Sequence, residues 1–253
     1  MERVLEVSHF RKEYRGKVAV RDLSLAVAPG EICGFIGHNG AGKTTLIRSV
    51  VGAQPPTSGT VRVCGMDVWA DPVAAKRQMA YVPDNPDVYD FLTGMQYLDL
   101  IADVFGVSDP ERRRRVGELA GRLELEGVLG DPVSAYSHGM RQKLVLTGAL
   151  LHDPALLVLD EPFVGLDPSA SHELKAILRE RADAGGAVFF SSHVLEVVER
   201  LCDTVSVIRA GELVASGPTD EVRGSDSLED VFLELVDGQN GDVAGRPDRQ
   251  ETR

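Results

Sequence analysis

At 253 residues, with 43% hydrophobic and 26% charged residues, the chain is long enough for one large globular domain with a sizeable core. A net charge of −12 argues against nucleic-acid phosphates as the main partner. The 3 cysteines (Cys33, Cys64 and Cys202), in no C-x-x-C pair, argue against a disulfide framework or a zinc cluster. The N-terminus carries no signal-type apolar run and no apolar stretch reaches the length of a membrane span. A soluble chain of a reducing cytosol is expected, with any membrane link made through a partner.

The first elements are short and rich in β-formers: Val4 to Val7, Val18 to Val20, and the alternating run Leu23 to Val27. Gly16 and Pro29-Gly30 punctuate them, which predicts an antiparallel N-terminal sheet. The apolar strand Ile32 to Ile36 then enters Gly37-His38-Asn39-Gly40-Ala41-Gly42-Lys43-Thr44-Thr45 and leaves as a helix ending near Gly52. This is the G-x-x-x-x-G-K-T spacing of a phosphate-binding loop. Glycines let the backbone fold into a nest of inward N–H groups, and the helix adds its positive end. Lys43 can reach β- and γ-phosphates, and the Thr44 hydroxyl can ligate Mg²⁺.

Pro55 to Gly59 turns the chain into a strand over Thr60 to Cys64. Tyr81 to Pro86 holds two prolines and is expected to be a loop. Thr93-Gly94-Met95-Gln96 reads as a capping box, followed by the helical stripe Tyr97, Leu98, Ile101 and Phe105. A second helix, opened by Asp109-Pro110, carries Val116, Leu119, Ala120 and Leu123 at helical spacing. Its basic run, Arg112 to Arg115, reads as a solvated face. Residues from about 91 to 135 thus form a helical insert in an α/β chain.

Beyond the insert, Tyr136-Ser137-His138-Gly139-Met140-Arg141-Gln142-Lys143 opens an apolar helix. Leu156 to Leu159 and Ala187 to Phe190 read as strands covered on both faces, separated by a helix that starts at Asp167-Pro168 and stops at Gly185-Gly186. Such alternation gives a parallel sheet. The first of these strands ends in Asp160-Glu161, which puts two carboxylates at the edge where ligands bind. Asp160 is placed to hold a Mg²⁺ shell and Glu161 to polarise a water. Val205 to Ala215 forms a hairpin about Ala210-Gly211, and Ser227 opens a last helix with Leu228, Val231, Phe232 and Leu235 in register. The polar tail, 237–253, has almost nothing to bury and is expected to be disordered.

The order of these motifs resembles the nucleotide-binding subunit of ABC transporters, from Val4 to about Val236. The resemblance implies a P-loop NTPase fold over 1–236: a parallel sheet core, an N-terminal antiparallel β subdomain and an inserted helical subdomain. Tyr136-Ser137-His138-Gly139-Met140 corresponds to the family signature, commonest as L-S-G-G-Q, in a form similar to exporters with separately encoded permeases. By position, Tyr14 matches the aromatic that stacks on adenine, and residues Gly37 to Thr45 bind ATP. Asp167, after Gly165-Leu166, matches the loop that contacts the opposite subunit, and His193 the switch histidine at the γ-phosphate. Asp84 stands where most members carry a magnesium-contacting glutamine.

The resemblance further implies a head-to-tail dimer with a second copy or a paralogue. ATP would lie between the phosphate loop of one subunit and Ser137 and Gly139 of the other. Lys43, Glu161 and His193 would carry catalysis, with ATP and Mg²⁺ as cofactors and Thr44, Asp84 and Asp160 at the metal. Movement would pass through the insert to a permease at the cytoplasmic face of the cell membrane, in the direction of export. The alternative is a soluble ABC-type ATPase on a scaffold, as in iron–sulfur cluster assembly.

Overall fold

The computed structural model describes residues 3–237; of the expected polar tail, all but Asp237 lies outside them. The chain opens with the hairpin of β1 (Leu5–Tyr14) and β2 (Lys17–Val27), which turns at Arg15-Gly16. There follow β3 (Ile32–Ile36), α1 (Lys43–Val50), β4 (Ser58–Val63), β5 (Met66–Asp67), α2 (Pro72–Arg77) and β6 (Met79–Val82). The insert is built from α3 (Gly94–Phe105) and α4 (Asp109–Arg122), after which α5 (His138–Leu150) leads into β7 (Leu156–Asp160). Then come α6 (Pro168–Asp183), β8 (Ala187–Ser192), α7 (Leu195–Leu201), β9 (Thr204–Arg209), β10 (Glu212–Pro218), α8 (Thr219–Arg223) and α9 (Leu228–Asp237).

Two sheets result. β2-β1-β4-β5 is antiparallel throughout. The larger sheet runs β10-β9-β3-β8-β7-β6, parallel except for β10. Its central strands are apolar on both faces because both are covered. Cys33, Phe35, Val158 and Phe189 face the antiparallel sheet and α1, whereas Ile36, Leu157, Leu159, Val188 and Phe190 face α5, α6 and α7. Every residue of β3, β7 and β8 is buried, which fixes the strand ends where the conserved direction of a parallel sheet places a ligand.

Two expectations need correction. Tyr81 and Val82 belong to β6, not to the loop, because Met79–Val82 pairs in parallel with Leu156–Leu159. A proline restricts only itself and its predecessor, so the break comes at Pro83. The N-terminal strands are longer than their apolar segments: the polar stretch Arg11 to Tyr14 still pairs with β2. The expected hairpin about Ala210-Gly211 is present as β9–β10 and joins the large sheet through β9 and β3, which makes that sheet mixed. The short helices α2, α7 and α8 had no signal in the apolar periodicity.

The insert begins with the full capping box. Gln96 N donates to Thr93 Oγ1 at 3.2 Å and Thr93 N donates to Gln96 Oε1 at 2.9 Å. Leu98 and Ala102 of α3 and Val116, Leu119 and Ala120 of α4 are buried. Three arginines of the basic run, Arg112, Arg114 and Arg115, are paired in place rather than simply solvated. Arg112 meets Asp99 and Asp103, Arg114 meets Glu111 and Glu118, and Arg115 meets Glu111 and the Leu151 carbonyl.

Candidate functional site

β3 delivers the chain to Gly37, where a Cβ would stand 2.5 Å from the Ile208 carbonyl oxygen. Gly40 and Gly42 take φ of 81° and 118°, a region that glycine alone enters freely, and the loop curls back on itself through Ala41 N to His38 O at 3.0 Å. α1 then starts at Lys43. Its side chain is buried and Nζ donates to the Gly37 carbonyl at 2.6 Å. The same ammonium lies 3.9 Å from Glu161 Oε1.

The neighbouring strand ends supply the acids. Asp160 is buried and accepts a hydrogen bond from Ser191 Oγ at 2.5 Å. Glu161 has φ of 50°, which costs roughly 1–2 kcal/mol outside glycine. Its N–H is held by the Ser191 carbonyl at 3.2 Å and by Ser191 Oγ at 3.1 Å. The kink swings the Glu161 carboxylate out of the sheet line, and its Oε2 accepts from His193 N at 3.2 Å and lies 2.8 Å from His193 Nδ1. Strain of this kind clusters at functional positions. Glu161 thus lies between Lys43 and His193.

These groups line one cleft with two lobes. The smaller, about 220 Å³, is walled by Gly40, Lys43, Thr44, Thr45 and Asp160, with Ala19 of β2. The larger, about 510 Å³, is walled by Gly37, Ser192, His193, Glu229, Phe232 and Leu233. His38, Asn39, Asp84 and Glu161 line both. Asp84 is therefore at the phosphate loop, although it comes from the loop after β6. The nearby acids also register at Tyr81, whose hydroxyl is pushed up to about 12 by burial first and then by Asp160 and Asp84.

The chain is similar to known proteins over most of its length. The ABC transporter family profile matches residues 20–164. EcsA of Bacillus subtilis, an ABC-type transporter ATP-binding protein, is 34% identical over 92% of this chain and 96% of its own. The Nod factor export ATP-binding protein I of Cupriavidus metallidurans is 35% identical over 91% of this chain and 76% of its own. A solved ATP-binding subunit of an ABC transporter superposes with a TM-score of 0.89 at 34% identity, covering 92% of this chain and 99% of that one. This chain belongs to the ABC transporter family.

It is an ABC transporter ATP-binding subunit and an ATPase, and among its described residues no helix is long and apolar enough to cross a membrane. Tyr136, Ser137, His138, Gly139 and Met140 do not line the cleft. Ser137 caps α5, accepting from Met140 N at 3.2 Å, and both Ser137 and His138 are exposed. Gly139 approaches the Gly165 carbonyl so closely that a Cβ would stand 2.9 Å from it. Tyr136 is buried and donates to the Val128 carbonyl at 2.6 Å, which rivets the end of the insert. Met140 packs on the core from its edge. Asp167 caps α6 through Ala170 N at 2.9 Å and pairs with Lys143 Nζ at 3.0 Å. The Ala170 N–H, then Lys143, hold its carboxyl below the usual range. Tyr14 stands at the end of β1, 39% exposed, with Lys12 Nζ 5.1 Å from its ring centre.

Two features escaped the sequence reading. The first is the α9 wall of the larger lobe, since nothing in the spacing of Leu228, Val231, Phe232 and Leu235 says which neighbour they meet. The second is a groove of about 370 Å³ between insert and core, lined by Val51, Met79, Tyr97, Ile101, Phe105 and His152. Its signal was present: Tyr97, Ile101 and Phe105 form a stripe longer than the half of α3 that the core covers. His152 stacks on Phe105 with ring centres 3.6 Å apart, and burial, with Arg181 and Arg115 nearby, holds its imidazole below the ordinary value.

Proposed function

We propose that this subunit hydrolyses ATP between two head-to-tail copies, or between itself and a paralogue, and drives export through a separately encoded permease at the cytoplasmic face of the membrane. The observation that carries the reading is the separation of two groups of residues. Lys43, Asp160, Glu161 and His193 share one cleft, while Ser137, His138 and Gly139 do not line it, and Ser137 and His138 are exposed. A cleft with one open side and an exposed capped helix elsewhere complement each other in a rotated pair.

In this reading the nest of Gly37 to Thr45 cradles the phosphates, Lys43 exchanges the Gly37 carbonyl for β- and γ-phosphate oxygens, and Tyr14 stacks on the base. Ser137 and Gly139 of the second copy close the γ-phosphate from the other side, with Asp167 at the contact between copies. Glu161 accepts the proton of the attacking water, and His193 holds the Glu161 carboxylate in line. Aligned general bases contribute about 10²–10⁴-fold, or roughly 3–5 kcal/mol.

A magnesium ion fits the donor set, because Thr44, Asp84 and Asp160 bring hard oxygens to one lobe. Among the described residues no cluster of three or more His, Cys, Asp or Glu could hold a metal unaided, which suits an ion that takes most of its shell from water and phosphate. Held by Thr44, Asp84 and Asp160, it would supply positive charge to the phosphate oxygens.

The apolar groove beside Ile101 and Phe105 supports a membrane partner, since it suits a short amphipathic segment. Export is the direction named for the Nod factor relative. The test is co-expression with the adjacent reading frame. Recovery from detergent extracts with a polytopic membrane protein, and ATPase activity that responds to it, is expected. Recovery in a soluble scaffold complex overturns the transport reading.

A further inference from the structure

The phosphate loop has few side chains with which to hold its shape. Of Gly37 to Gly42, only His38 and Asn39 carry a side chain larger than a methyl group, and both are exposed. Lys43 grips the loop from its own helix. The second large side chain, His38, is gripped from the far end of the sequence: its ring meets Phe232 of α9 edge to face, with centres 5.0 Å apart and planes at 68°. Phe232 is 7% exposed, and with Glu229 and Leu233 it walls the lobe that also contains His193 and Glu161.

α9 is a firm support for such a contact. Its first turn is held by Leu228 N donating to Glu199 Oε2 at 2.8 Å, and by Ser227 and Asp230 bonding reciprocally. Leu228 is fully buried. Near its other end, Arg209 Nη1 donates to the Leu235 carbonyl at 2.7 Å. Arg209 ends β9, the strand paired with β3, and β3 is the strand that enters the phosphate loop. α9 is therefore tied, through Arg209 and β9, to the strand at the root of the loop.

We infer that Phe232 is a positioning residue for ATP binding, acting through His38 to keep the phosphate loop in its nucleotide-ready shape, and that α9 is a built wall of the ATP site rather than a terminal appendage. Rigidifying a binding loop strengthens ground-state and transition-state binding alike, so its loss appears in KM and nucleotide affinity before kcat. An edge-to-face aromatic contact corresponds to about two- to ten-fold in an equilibrium constant.

The test is calorimetric binding of ADP with Mg²⁺, which needs no turnover, together with steady-state ATPase kinetics. Variants are Phe232→Ala, Phe232→Leu, His38→Ala and the double variant His38→Ala with Phe232→Leu. Phe232→Leu keeps apolar volume against the core and removes the ring. It should still weaken ADP two- to ten-fold and raise KM by the same factor, with kcat falling less than two-fold. The double variant should be no weaker than the worse single one. Val231→Ala, on the same helix but off the cleft, should lower the melting temperature without moving ADP affinity. Wild-type ADP affinity in Phe232→Leu, or losses that multiply in the double variant, overturns the inference, as does a Val231→Ala loss equal to that of Phe232→Leu. Because the readout is ADP bound to the chain alone, failure of the transport or export reading leaves this result standing.

Discussion

The two concavities of this subunit are built on opposite principles. In the nucleotide cleft the charged groups are tied to one another: Lys43 lies near Glu161, Glu161 is held by His193, and Asp160 by Ser191. In the groove between insert and core the walls are mainly apolar, with Lys76 among the lining residues, and His152 is stacked on Phe105 with its imidazole held below the ordinary value by burial. The first arrangement suits a highly charged substrate, because Lys43, Asp160 and Glu161 each have a partner to trade. The second suits an apolar segment of a partner, because there is little polar surface to desolvate. Damage to the cleft should stop chemistry, and damage to the groove should spare chemistry and stop its use.

The largest expected effect is in the cleft. Glu161→Gln should bind ATP, lose about 10²–10⁴-fold in kcat, and accumulate as a dimer in sedimentation with ATP. Hydrolysis at the wild-type rate removes Glu161 from the role of base. In the groove, Ile101→Asp places a charge on the apolar wall. Basal hydrolysis should stay within about two-fold of wild type, while stimulation by the reconstituted permease falls at least about ten-fold, as for an unpaired charge in an interface. Equal stimulation in Ile101→Asp and wild type disconnects the groove from the permease.

Asp84 starts a path from the cleft to α5. Its side chain lines both lobes of the cleft, and its loop continues through buried Pro86 and Val88 to Asp90, which pairs with Arg141 of α5 at 3.0 Å. Asp84→Ala should keep nucleotide binding and lose a several-fold stimulation by the permease, with Asp84→Asn between, since an amide oxygen still ligates a hard cation. ATPase assays with and without permease across a Mg²⁺ titration decide it. An Asp84→Ala response equal to wild type makes Asp84 a turn residue only.

The smallest effect concerns His152. Its folded-state value lies below the unfolded value of 6.5, so the native state binds fewer protons. Its contribution is present above that value and is lost as pH falls through the depressed one. His152→Phe should flatten the fall in melting temperature at acidic pH. An acid limb of unchanged slope in that variant places the titration elsewhere.

The cleft was more legible in the sequence than the groove, for a physical reason. Gly37 to Thr45 and Asp160-Glu161 are local patterns whose chemistry requires contiguous residues, and Asp167 and Ser137 are caps that a four-residue window reveals. The groove and the α9 wall are made by side chains that meet only after folding: Phe105 with His152, Phe232 with His38. The misread strand at Tyr81-Val82 belongs to the same class. Pro83 and Pro86 dominate the local pattern, while the pairing that decides the matter is with Leu156 to Leu159. The left-handed turn at Glu161, which aims the carboxylate, has no sequence signal because glutamate rarely adopts it.

The central claim is that the cleft is half a site, completed by Ser137 of a second copy. Mixing two inactive chains tests it most directly. Lys43→Ala lacks the phosphate-loop cation, and Ser137→Glu sets a carboxylate against the γ-phosphate of its partner. A mixed dimer contains one doubly damaged site and one intact site. ATPase activity of the mixture, titrated at constant total protein, should rise well above the sum of the two separate chains and peak near equal amounts. Activity that stays at that sum in every proportion, with mixed dimers confirmed by mass, contradicts the account.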